Sequence, residues 1–156
     1  MKTKEKIKNI YLISIISVGF LGLVIGSTFA LFNNITNIEN PITFNSNLNK
    51  ENFLSETIEV AIPVGKNKKV DLVITNDSEE GLYYATWYMS SSNGLSIQTN
   101  SSNNNYGPVG LMPANSSFIL TIQLTNNSEQ PITVTLGVSS SVDTIILPSG
   151  AKEISS

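Results

Sequence analysis

Hydrophobic positions follow two regimes along the chain. From Leu12 to Ile25 the sequence LISIISVGFLGLVI is apolar apart from Ser14 and Ser17, with Gly19 and Gly22 inside it. A continuous apolar run behind a basic, polar start predicts an N-terminal hydrophobic helix that serves as signal or anchor. After Phe32 the chain turns rich in Asn, Ser and Thr, and short alternating segments replace the run.

Those segments predict strands, because side chains two apart share a face. In TIEVAIPV, Ile58, Val60, Ile62 and Val64 lie on one side, and Pro63 marks the end as an edge or bulge. KKVDLVIT aligns Val70, Leu72 and Ile74. LYYATWYM (82–89) is aromatic on both faces, and Trp87 is expected to anchor the space between two sheets. GLSIQT (94–99) turns Leu95 and Ile97 inward, and SSNNNYGPVG after it reads as a long surface loop. SSFILTIQLT carries Phe118, Leu120, Ile122 and Leu124; PITVTLGV carries Ile132, Val134, Leu136 and Val138. VDTIIL (142–147), stopped by Pro148 and Gly150, is the last expected strand. No helical periodicity of useful length occurs outside the leader.

The expected fold class is therefore all-β: an antiparallel β-sandwich, jelly-roll or Ig-like, behind an N-terminal signal or anchor helix. Its divisions are a signal peptide at 1–30, or an uncleaved anchor, then an N-terminal extension at 31–56. A sandwich core follows at 57–148 and a C-terminal tail at 149–156. The stretches IPVGKNKKVDLVITNDSEE and LMPANSSFILTIQLTNNSEQ share one plan: an apolar residue and proline, a turn, an alternating strand, then T-N-x-S-E. We read this as two strands meeting similar turn requirements; an internal duplication is the alternative.

Composition narrows the chemistry. There is no histidine, cysteine or arginine, which removes imidazole bases, thiol nucleophiles, thiolate or imidazole metal ligands, disulfides and arginine clamps. No phosphate cradle, HExxH helix or nucleophile elbow is present. The expectation is a non-enzyme without a cofactor. Asp77, Glu79 and Glu80 form the one compact acidic cluster, with no EF-hand spacing, and read as a solvated turn rather than a calcium site. From Leu31 onward five lysines face eleven acidic residues, a net charge of about -6. That sign disfavours nucleic acid and anionic membrane surfaces as partners. Tyr84, Tyr88 and Tyr106 form a candidate binding patch for sugar or protein, though tyrosines on a sheet face also cover a core edge.

The junction between the two regimes carries the clearest functional signal. Lys2, Lys4, Lys6 and Lys8 precede the apolar run, and Thr28 and Ala30 are small residues at -3 and -1 of a cleavage site that would leave Leu31 as the first residue. Uncleaved, the run from Ile10 to Phe32 is long enough to span a bilayer about 30 Å thick. Either outcome places the remainder at the cell surface or outside the cell, with membrane contact only through residues 10–32 if no cut occurs.

GSTFALFNN resembles the signal-peptide end of the TasA/camelysin group, exported proteins of Gram-positive bacteria processed by SipW, an ER-type signal peptidase. Thr28, Phe29 and Ala30 match the segment before the cut; Leu31, Phe32 and Asn33 match the start of the mature chain, and Asn34 stands where an acidic residue is usual. The resemblance covers the leader and about ten further residues; the body is similar only as a secreted β-sandwich. It implies a subunit of surface or biofilm-matrix fibres, self-associating or joining other matrix proteins, in which an N-terminal strand completes a neighbour's sheet. Residues 31–46 are then the donor, with Leu31, Phe32, Ile35, Ile38, Ile42 and Phe44 as its apolar contacts. A monomeric adhesin or carbohydrate- or protein-binding module is the alternative. The peptidase label attached to camelysin-type relatives is disfavoured, because zinc peptidase chemistry needs imidazole ligands.

Overall fold

Alternation of period two decides the architecture. The structure, a computed structural model, describes residues 40–50 and 56–155. The hydrophobic helix expectation and the residues Thr28, Ala30, Leu31, Phe32, Ile35 and Ile38 lie outside the described residues.

Nine strands are found among the described residues: β1 (Ile42–Asn47), β2 (Thr57–Ile62), β3 (Asn67–Asn76), β4 (Leu82–Ser90), β5 (Leu95–Ser101), β6 (Val109–Met112), β7 (Ser116–Asn126), β8 (Ile132–Ser141) and β9 (Lys152–Glu153). They form two sheets, ordered β1-β3-β7-β5 and β2-β8-β4-β6, with β9 added against β4. From β1 to β8, successive strands therefore alternate between sheets, so neighbours in sequence never pair. The facing stripes are those the alternation predicts. Val70, Leu72, Ile74, Phe118, Leu120, Ile122 and Leu124 line one sheet, and Val60, Ile62, Ile132, Val134, Leu136 and Val138 line the other; all are buried. Removing each such side chain from water contributes roughly 1.5–3 kcal/mol.

Four details of the strand plan differ from the sequence reading. The β1–β3 pair is parallel, with Ile42 opposite Val70, whereas the other ladders are antiparallel. Part of the expected loop at 101–110 is strand β6, which pairs Val109 with Ala85 and Met112 with Leu82. Residues 142–147 are not a strand. The expected tail instead supplies β9, and Ile154 is buried in the core. Thr86 explains that last arrangement. Its N–H is taken by the Pro108 carbonyl at 2.9 Å and its carbonyl by the Ile154 N–H at 3.0 Å. The edge of β4 is thus completed by β6 over one half and β9 over the other, and the sandwich extends past residue 148.

Trp87 is buried but not between the sheets. It pairs with Gly137, and the inward residues of β8 are the even-numbered stripe from Ile132 to Val138, so Gly137 and Trp87 share the outer face. Its indole lies across Gly137 and its Nε1–H donates to Ser139 Oγ at 3.1 Å. The segment between β8 and β9 leaves one side of β4 and returns on the other. Large side chains on both faces of LYYATWYM left the inward side undetermined in sequence; pairing with β8 fixed it.

The two stretches with a shared plan are related throughout. Asn76 and Asn126 stand 50 positions apart, as do Pro63 and Pro113, and Gly65 and Asn115, both with positive φ, at 65° and 52°. The β3–β7 ladder pairs Asp71 with Thr121 and the β4–β8 ladder pairs Trp87 with Gly137, each again 50 apart. The β2–β8 and β4–β6 ladders map onto each other with the same register: Ile62 pairs with Ile132 as Met112 pairs with Leu82. This is twofold pseudosymmetry, which similar turn requirements alone do not produce. At positions that meet their own counterpart, two large residues would collide and two like charges would repel. Here Trp faces Gly, and Thr121 Oγ1 donates to Asp71 Oδ1 at 2.7 Å.

Candidate functional site

The outer edge of β3 is the place where sequence expectation and geometry meet. Its symmetry counterpart, the outer edge of β7, receives β5 antiparallel along Leu120–Asn126. The β3 edge receives β1 along the matching positions Val70–Thr75, in the opposite direction. Continuing the 50-residue relation, residues 145–151 would be the counterpart of β5. They contain Pro148, which has no N–H to give a ladder, and the chain there runs on to β9 instead. The β3 edge is thus closed by a segment lying outside the two related halves.

That segment fits unevenly. Its alternating inward positions are Ile42, Phe44, Ser46 and Leu48. Leu48 is buried and its N–H donates to the Thr75 carbonyl at 2.8 Å. Next to it, Asn49 N–H donates to Ser140 Oγ at 2.8 Å, and that hydroxyl donates to the Asn49 carbonyl at 2.9 Å. Lys50 pairs with Glu80, and this hydrogen-bonded carboxylate holds the lysine pKa above its usual value. Phe44 packs against the core while partly exposed, and Ile42 is exposed. Ser46 is buried with its hydroxyl unpartnered among the described residues, at a cost of roughly 1–3 kcal/mol. Of the six expected donor contacts, the structure places Ile42 and Phe44 on this edge.

The three tyrosines do not form an exposed patch. Tyr84 is fully buried, its hydroxyl donating to the Gly107 carbonyl at 2.7 Å. Burial, then the neighbouring Tyr106, pushes its pKa up to about 12. Tyr84 and Tyr106 both pack on Phe118, with ring centroids 5.6 and 5.1 Å away. Tyr88 borders a cleft of about 100 Å³ with Ser92, Leu95 and Lys152, small beside the several hundred Å³ of ordinary ligand pockets. These rings serve the core and its rim. Asp77, Glu79 and Glu80 are exposed in the turn after β3.

No family model, curated protein or solved structure matches the chain.

Sequence reasoning missed two structural keystones, Asn76 and Asn126. Both are fully buried. Asn126 Nδ2 donates to the carbonyls of Ile62 and Gln130 at 3.0 and 2.8 Å, and its Oδ1 accepts from Ser128 N–H and Oγ, both at 2.8 Å. Asn76 Nδ2 donates to the carbonyls of Glu80, Met112 and Pro113, and its Oδ1 accepts from Ser78 N–H and Oγ. Each amide thereby saturates both its ends and ties a turn of one half to a strand end of the other. The doubled T-N-x-S-E was their signal.

Proposed function

We propose that this chain is an exported, non-enzymatic structural protein of the cell surface or biofilm matrix. An ER-type signal peptidase cuts after Ala30, and copies polymerise when residues 31–46 of one add a strand to the next. The observation that carries this reading is the β3 edge: a position filled by a strand from outside the paired halves, parallel, six residues long and with a buried unpartnered hydroxyl. Parallel pairing is slightly weaker per residue than antiparallel. Main-chain hydrogen bonding at a sheet edge accepts strands from another chain as readily as from its own. Burial of Tyr84 in the core, with Tyr106 half-buried against it, supports this reading over a tyrosine-lined adhesin.

The test uses native extracellular protein. N-terminal sequencing is expected to begin at Leu31, and electron microscopy to show filaments that disappear when residues 31–46 are deleted. Mature protein that stays monomeric at high concentration, with and without cell-surface material, would overturn the proposal.

A further inference from the structure

The described body has an unusual division of labour. Take β2 to β5 as a first half and β6 to β8 as a second. The ladders joining these strands are β2–β8, β3–β7, β4–β6, β4–β8 and β5–β7. Every one of them runs between the halves, and none runs within a half. The linking bonds outside the ladders behave the same way: Asn126 N–H to the Lys66 carbonyl, Asn127 N–H to the Gly94 carbonyl, Ser91 N–H to the Thr133 carbonyl. The Asn76 and Asn126 amides add side-chain bonds across the same divide. Neither half has a hydrogen-bonded sheet until the other arrives.

From this we infer that the halves exchange between copies, the first half of one chain closing on the second half of another. The partner is a second copy of this chain, and the surface is the complete inter-half interface. Exchange makes no new contact and loses none inside each sandwich. Only the segment joining β5 to β6, residues 102–108, has to run between two bodies rather than fold back within one. Within it Ser102, Asn103, Asn104 and Asn105 are exposed and supply the reach between bodies. Tyr106 packs on Phe118, and the Gly107 and Pro108 carbonyls accept from Tyr84 and Thr86, so these three travel docked with the second half. Exchange of identical elements is a low-cost route to dimers for this reason. Its control is kinetic. Once a chain has closed on itself, a short linker holds the halves at an effective concentration of about 1 mM, which a free partner rarely matches. During synthesis, however, the first half is exposed before the second exists, and a neighbouring chain's second half meets it on equal terms. The inference does not rest on strand donation by residues 31–46, which leaves both halves in one chain.

The chain has no cysteine, so a disulfide reports the pairing. Asp71 and Thr121 are opposed across β3–β7, and both kinds of antiparallel pair fall within disulfide reach. Full-length Asp71→Cys and Thr121→Cys variants are co-expressed in one cell, oxidised and separated without reductant; the double variant in one chain sets the yield of complete linkage. Exchange predicts a linked heterodimer that is missing when either variant is expressed alone. It is also missing when the two are mixed after folding, and when Gln123→Cys, two residues out of register, replaces Thr121→Cys. Deleting Asn103–Asn105 shortens the linker and is expected to raise the heterodimer yield. Co-expressed variants that link no more than these controls, with or without the deletion, overturn the inference. Filaments formed by strand donation alone give that same unlinked result, so the two proposals fail separately.

Discussion

Substituting Gly137 by alanine tests the packing at the pseudosymmetry axis. An added Cβ would stand 2.3 Å from Trp87 Cζ2, 2.6 Å from Cε2 and 2.8 Å from Cη2. Carbon atoms pack at about 3.5–4.0 Å, so the indole must retreat by about 1 Å or more from a site where it is 1% exposed. Overpacking of this kind costs typically 1–3 kcal/mol. Moving the ring also strains or breaks the Nε1–Ser139 hydrogen bond, for about 1 kcal/mol more. The expected loss is about 2–4 kcal/mol. Guanidinium unfolding followed by tryptophan fluorescence reads it directly, since Trp87 is the chain's one tryptophan. The midpoint should fall and the native emission move to longer wavelength. In a Trp87→Ala background, where unfolding is followed by circular dichroism because the fluorophore is gone, the same substitution should cost far less, a coupling of at least about 1 kcal/mol. An unchanged midpoint and emission for Gly137→Ala, or strictly additive effects in the cycle, would refute the account of a ring seated on a bare backbone.

Three further outcomes are expected. Asn126→Ala and Asn76→Ala each leave several buried backbone groups without partners and should cost roughly 2–4 kcal/mol in equilibrium denaturation, whereas exposed Asn104→Ala should be neutral. Ser46→Ala removes an unpartnered buried hydroxyl and should raise the denaturation midpoint or leave it unchanged; a clear fall would show that the hydroxyl has a partner. Tyr84 holds its proton to about pH 12 in the folded state and to about 10 when unfolded. Its contribution is therefore complete below about pH 10 and is lost as pH rises towards 12. Tyr84→Phe should flatten that alkaline decline when denaturation midpoints at pH 9 and 11 are compared, and an equal decline in both proteins would contradict the assignment.

The stripes Val70–Ile74, Phe118–Leu124 and Ile132–Val138 were legible because each alternates cleanly against polar neighbours, and one buried face suffices to orient a strand. β6 was not, since four residues between Pro108 and Pro113 carry too little pattern to separate from a loop. β9 was beyond reach for a related reason: two residues pair only because the edge of β4 beyond β6 is vacant. The tyrosines illustrate a third limit. Tyr84 and Tyr106 have the spacing and chemistry of a binding patch, and only the packing of Phe118 between them converts that chemistry into core.

Local pattern also recorded the repeated T-N-x-S-E without revealing its meaning. A buried asparagine and an exposed turn asparagine look alike in sequence, and Asn76 became a keystone because Met112 and Pro113 end a strand within reach of its amide. The sequence by itself determined an all-β body, its two apolar faces and the absence of imidazole and thiol side chains. Those properties follow from side-chain identity and period-two spacing, which act over a few residues. The tertiary structure alone decided the parallel β1, the outward Trp87 and the pairing of each half solely with the other. These depend on contacts between residues tens of positions apart, where the partner's register, rather than the local pattern, selects which face is buried.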